Sequence, residues 1–155
     1  APVRARAGLV VLPDADFASA AEPDVLIVPG GVVDAAAACP HTRAWVARAA
    51  QQARITASVC TGAFILAAAG VLRSGPVTTH WEDLADLHAQ YPGLDVRAGV
   101  RWVDQGPLVT SAGISAGNDF NRVETNYINA LGRLAGAALA ERTARQMDTP
   151  WHPAP

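Results

Sequence analysis

Arg54-Ile-Thr-Ala-Ser-Val-Cys60-Thr-Gly-Ala-Phe-Ile-Leu-Ala-Ala-Ala-Gly70 is the stretch around which the chain is read. Ile55 to Val59 is a short β-biased run that delivers Cys60. Thr61-Gly62 permits a tight turn, and Ala63 to Ala69 then form a small-residue helix. A side chain at such a strand-to-helix junction projects from a sharp elbow, where glycine relieves backbone crowding. The following helix turns free N–H groups and its positive dipole end toward the sulfur, an arrangement that suits a thiolate nucleophile. A buried structural cysteine fits the same residues, and the local sequence leaves both readings open.

On either side of this stretch, apolar runs alternate with helical patterns. Val3 to Leu12 holds two short extended runs broken at Ala7-Gly8, which fits a hairpin. Asp24-Val-Leu-Ile-Val-Pro-Gly-Gly31 is a continuous apolar run closed by turn residues, the pattern of a strand buried on both faces. Pro40 opens a helix to about Gln52 with Trp45, Val46 and Ala49 on one face. Beyond the elbow, Val77-Thr-Thr-His80 is expected as a strand, and Trp81 to Tyr91 as a helix stopped by Pro92-Gly93. Val96 to Val103 is expected as one strand and Leu108 to Thr110 as another. A glycine-rich loop, Ser111 to Gly117, leads into an amphipathic helix carrying Phe120, Val123, Tyr127, Leu131 and Leu134, and helix resumes from Ala135 to Met147. The tail, Pro150 to Pro155, cannot be helical. Strands alternating with helices predict one α/β domain over residues 1–149 with a mainly parallel sheet, followed by a tail over 150–155.

The totals agree with one globular domain: 155 residues, half of them hydrophobic and 17% charged, give a real core. A formal charge of −2 argues against nucleic-acid binding by this chain itself. All 12 basic residues are arginine, which excludes a Schiff-base or phosphate-loop lysine. Cys39 and Cys60 lack metal-type spacing and suggest a reducing compartment. With no membrane-length apolar run and no signal-peptide order at Ala1-Pro-Val-Arg4, the expected location is the cytoplasm.

Pro29-Gly-Gly31, Ser58-Val-Cys-Thr-Gly-Ala63, Ala67-Ala-Ala-Gly-Val-Leu72, Thr78-Thr-His-Trp81 and Thr110-Ser-Ala-Gly-Ile-Ser-Ala-Gly117 occur in one order and spacing. Together they resemble the ThiJ/PfpI superfamily, the class I glutamine-amidotransferase-like fold. The nearest branch holds the isocyanide hydratases and the sensor domains of AraC-type transcriptional regulators. The resemblance implies a flavodoxin-like parallel-sheet sandwich, a small-molecule substrate or ligand, no cofactor and a homodimer. It also implies that the chain starts after the family's first strand, helix and second strand, and so is N-terminally incomplete. That segment carries the acid that partners the cysteine in relatives. None of Asp14, Asp16, Glu22 or Asp24 lies in a matching motif. Asn118 to Asn129 also departs, being longer and more polar than the helix start of relatives.

Carried over residue by residue, Cys60 is the implied nucleophile, and the N–H groups of Thr61 and Gly31 are the implied binders of a developing oxyanion. His80 corresponds to a family histidine near the cysteine. Gly30, Gly62, Gly113 and Ile114 line the implied pocket. In the hydratase branch the thiolate adds to an isonitrile carbon, and water opens the thioimidate to an N-substituted formamide. Thr61 suits that branch, whereas PfpI-like peptidases carry histidine there, so peptidase activity is disfavoured. A ligand-sensing regulator domain and a non-catalytic redox-sensing relative are the alternatives. A helix-turn-helix downstream would mark the regulator, and this chain holds none. His80, Glu82, Asp83, Asp86 and His88 lack His-Glu-x-x-His spacing and read as a solvated acidic helix face, so no metal is expected. Cys39, beside Pro40, is expected to be an inert small hydrophobe.

Overall fold

The computed structural model describes residues 2–5, 8–113 and 132–146. Val3–Arg4 (β1) and Val10–Val11 (β2) pair antiparallel as the expected hairpin. The main sheet is built from Val25–Val28 (β3), Ile55–Val59 (β4), Leu108–Ser111 (β8) and Trp102–Asp104 (β7), in the order β3-β4-β8-β7. Its first three strands run parallel, with Val28 opposite Ser58 and Ser58 opposite Thr110. β7 returns antiparallel on the outer edge, Trp102 facing Ser111.

Helices Asp34–Ala38 (α1), Pro40–Gln52 (α2) and Gly62–Ala68 (α3) pack with this sheet. Leu26, Val28, Val46, Ala49 and most of α3 form the principal core, in which Ala63 and Leu66 are fully buried. A smaller apolar cluster comprises Ile55, Ala57 and Val109, with Val25 and Leu134 against it. Burial on both faces explains why β4 reads as apolar or small throughout. Gly75–Val77 (β5) and Leu94–Val96 (β6) form a separate parallel pair, linked through the 3₁₀ turn Trp81–Asp83 and helix Leu84–Gln90 (α4). Ala137–Gln146 (α5) follows Gly136, whose φ of +92° interrupts the helix expected to start at Ala135.

Three further expectations change. The run Val96 to Val103 is two strands, because Gly99 at φ +71° turns the chain between β6 and β7. The strand expected over Val77 to His80 ends at Val77. Thr78 instead bonds the sheet through its N–H, and Thr79 bonds the elbow through its hydroxyl. Finally, β3 is buried on one face only: Leu26 is 6% exposed and Ile27 39%. It is the edge strand of the described sheet, and the apolar layer over its second face is thin. Ile114, the helix residues Phe120 to Leu131, the Asn118 to Asn129 segment and the tail over 150–155 lie outside the described residues.

Candidate active site

Cys60 lies at the junction of β4 and α3 with φ +56°, the one non-glycine residue among those described in the left-handed region. A residue with a Cβ pays roughly 1–2 kcal/mol for that conformation, so its surroundings must hold it there. Its N–H donates to the Ser111 carbonyl at 2.9 Å, which continues the β4–β8 ladder by one rung. Its carbonyl accepts from Thr79 Oγ1 at 2.9 Å. Ser111 Oγ donates to the Ser58 carbonyl at 3.0 Å and ties the same two strands just below the elbow.

Glycines supply the room. A Cβ on Gly30 would stand 2.7 Å from the Cys60 Cβ and 2.8 Å from the Thr61 nitrogen. On Gly113, itself at φ +59°, it would overlap the Cys60 Cβ and stand 2.6 Å from the Cys60 nitrogen. On Gly62 it would drive into the Val28 carbonyl. Gly30, Gly62 and Gly113 therefore admit the elbow between β3, β4 and the segment after β8. Gly31 is different: at φ +136° it has open space where a Cβ would point. Cys60, Thr61, Gly30, Gly31, Gly62 and Gly113 are thus brought together.

The Gly31 N–H, expected to face an oxyanion, donates to Thr61 Oγ1 at 2.9 Å. The Thr61 hydroxyl in turn donates to the Gly31 carbonyl at 2.8 Å. The Thr61 N–H makes no hydrogen bond among the described residues. Beside this pair lies a cavity of about 110 Å³ whose lining includes Thr61, Gly31, Phe64, Asp34, Asp83 and Asp86. Asp83 and Asp86, read from sequence as a solvated helix face, therefore border the elbow region.

His80 follows Thr79 directly and so is delivered to the elbow by the Thr79–Cys60 bond. Its Nε2 lies 3.2 Å from Glu82 Oε2, while its Nδ1 is buried without a hydrogen-bond partner among the described residues. Trp81 is exposed beside it, with ring centroids 5.8 Å apart. No three His, Cys, Asp or Glu side chains converge as a metal site among the described residues.

Cys39 departs from the expected inert hydrophobe. It is half-buried at the N-cap of α2, with Pro40 in the first turn. The nearby Thr42 amide and hydroxyl, then the His41 amide, lower the thiol's pKa from its ordinary value, although the side chain makes no formal cap hydrogen bond. The expectation of an inert side chain left out that a Cys-Pro pair opening a helix places the thiol beside first-turn N–H groups.

A comparison with family models matches residues 1–125 to the DJ-1/PfpI family. The chain belongs to the DJ-1/PfpI family. Among curated relatives, isonitrile hydratase of Pseudomonas putida is 38% identical over 122 residues, covering 77% of this chain and 51% of that protein. The HTH-type transcriptional regulator CdhR of Pseudomonas aeruginosa is 28% identical over 145 residues, covering 94% of this chain and 41% of that protein. The chain thus spans about half the length, or less, of these two relatives. A crystal structure of a ThiJ/PfpI family protein from Pseudomonas syringae superposes with a TM-score of 0.79 at 31% identity, covering 100% of this chain and 61% of that one. The α/β fold expected from the sequence is the DJ-1/PfpI fold, with relatives that include both an enzyme and a regulator.

Proposed function

We propose that this chain carries the catalytic elbow of an isocyanide-hydratase-like lyase, with Cys60 as nucleophile. The observation that carries the reading is the Cys60 backbone, held left-handed at a strand-to-helix turn by bonds to both its N–H and its carbonyl. Strain of this kind persists where the surroundings over-determine it, and it clusters at functional sites. Identity of 38% to an isonitrile hydratase supports the substrate class.

The chemistry balances as follows. The thiolate adds to the isonitrile carbon, forming a C–S bond, and that carbon takes a proton to give a thioimidate. Water then adds to the same carbon while the nitrogen is protonated. The C–S bond breaks, releasing the thiolate, a proton and the N-substituted formamide. The released proton replaces the one taken in the first step, so the sum is isonitrile plus water. The Thr61 N–H is the donor for oxygen charge in the tetrahedral adduct, joined by the Gly31 N–H when the Thr61 hydroxyl turns away. His80, with its unpartnered Nδ1, is the imidazole for proton transfer. The carboxylate-lined cavity beside Thr61 disfavours anions and admits a neutral isonitrile. Cytoplasmic location and a homodimer belong to the same reading. The exposed Val10, Val11 and Leu12 support the dimer.

Formamide production from an aryl isonitrile, followed by chromatography, tests the proposal. Turnover by the unaltered protein and its loss in Cys60→Ala are expected, and turnover that survives the substitution sinks the reading. A second reading is a ligand-sensing domain of an AraC-type regulator, favoured by alignment with CdhR along 94% of this chain. Thermal stabilisation by a small ligand without any formamide would select it.

A further inference from the structure

We propose that Thr79 is a positioning residue for Cys60, its hydroxyl holding the left-handed nucleophile and tying the His80 segment to it. The inference rests on the nucleophilic reading of Cys60 and adds to it a residue outside the elbow.

Three observations lead there. Thr79 is fully buried, and its hydroxyl donates to the Cys60 carbonyl across 19 residues of sequence. The other donor to that carbonyl, the Ala63 N–H, stands at 3.4 Å, a long contact. Among the described residues, Thr79 is therefore the single side chain that bonds the Cys60 backbone. Thr78, its neighbour, is anchored elsewhere: its N–H donates to Thr110 Oγ1 and its hydroxyl to the Arg97 carbonyl, both at 2.9 Å.

The chain after β5 is thus pinned to β8 by Thr78 and to the elbow by Thr79, one residue before His80. Removing the Thr79 hydroxyl leaves a buried carbonyl with only a long partner, and water cannot replace the donor in a fully buried position. The elbow then relaxes toward ordinary backbone, which redirects the Cys60 side chain. Nothing in the Thr78-Thr79 pair alone tells which hydroxyl serves the nucleophile; the structure separates them.

The test is the rate of iodoacetamide alkylation at neutral pH, read peptide by peptide with mass spectrometry, with Cys39 as a reference for the folded state. Thr79→Val keeps the shape and drops the donor; Thr79→Ser keeps the donor. Expected is a fall of about tenfold at Cys60 in Thr79→Val, as for loss of one buried hydrogen bond, with Thr79→Ser near the parent rate. The Cys39 rate stays unchanged in both.

A parent rate at Cys60 in Thr79→Val, or an equal fall in Thr79→Ser, overturns the proposal. So does a Cys60 that is inert in the unaltered protein. Should Thr79→Val fail to fold, as a changed Cys39 rate would reveal, Thr79→Ser decides alone: a parent rate supports the hydroxyl's role and a slowed one overturns it. Alkylation needs no isonitrile, so failure of the hydratase reading registers separately, as absent formamide beside an intact Thr79 effect.

Discussion

The hydroxyl of Thr61 and the backbone of Gly31 exchange two hydrogen bonds, Thr61 Oγ1 donating to the Gly31 carbonyl at 2.8 Å and accepting its N–H at 2.9 Å. One side chain thereby fastens the Pro29-Gly30-Gly31 turn to the start of α3. Thr61→Val removes both bonds at a partly exposed site, and a loss of about 1 kcal/mol is expected, with Thr61→Ser near neutral. Urea unfolding of the three proteins checks this. Equal midpoints for Val and Thr would show that the exchange contributes nothing measurable.

Gly113 and Gly106 both have positive φ, +59° and +84°, but only Gly113 is crowded. Alanine at Gly106 meets open space and costs roughly the left-handed penalty of 1–2 kcal/mol. Alanine at Gly113 meets the Cys60 Cβ as well, and overpacking adds about 1–3 kcal/mol. Thermal or chemical unfolding of the pair should therefore rank Gly113→Ala clearly below Gly106→Ala. The reverse ranking would mean that the elbow is not packed against this glycine.

Cys39 gives a pH-dependent prediction. Because first-turn amides and the Thr42 hydroxyl favour its thiolate, alkylation of Cys39 should persist to lower pH than in an unstructured peptide of the same sequence. Thr42→Val should move the profile part of the way back. The sign for stability follows: a depressed folded-state value stabilises the fold above the ordinary thiol range, and the contribution is lost as pH falls through the folded-state value. Coincident profiles for protein and peptide would refute the N-cap effect.

Much of this was legible because its causes are local. The apolar run of β3, the Pro40 helix start and the Cys-Thr-Gly turn each carry their signal within a few residues, and the family resemblance rests on five short motifs between Pro29 and Gly117. What escaped depends on partners distant in sequence. Ile27 reads as core until β3 is seen to be an edge. Val96 to Val103 reads as one strand until Gly99 divides it between two different sheets. α1, five residues of aspartate and alanine, has no apolar period to detect. The Gly31 N–H could be named from the resemblance, but not its occupation by Thr61, which needs both turns in space.

The bonds that shape the elbow span 19, 30 and 53 residues of sequence, through Thr79, Gly31 and Ser111. Contacts of that range pay their loop-closure entropy before they return any stabilisation. The full set of elbow bonds is complete only once β8 is in place, because the Cys60 N–H and the Ser58 carbonyl both bond Ser111. During synthesis, a chain that has not yet extended past Ser111 lacks the carbonyl that accepts the Cys60 N–H and the hydroxyl that bonds the Ser58 carbonyl.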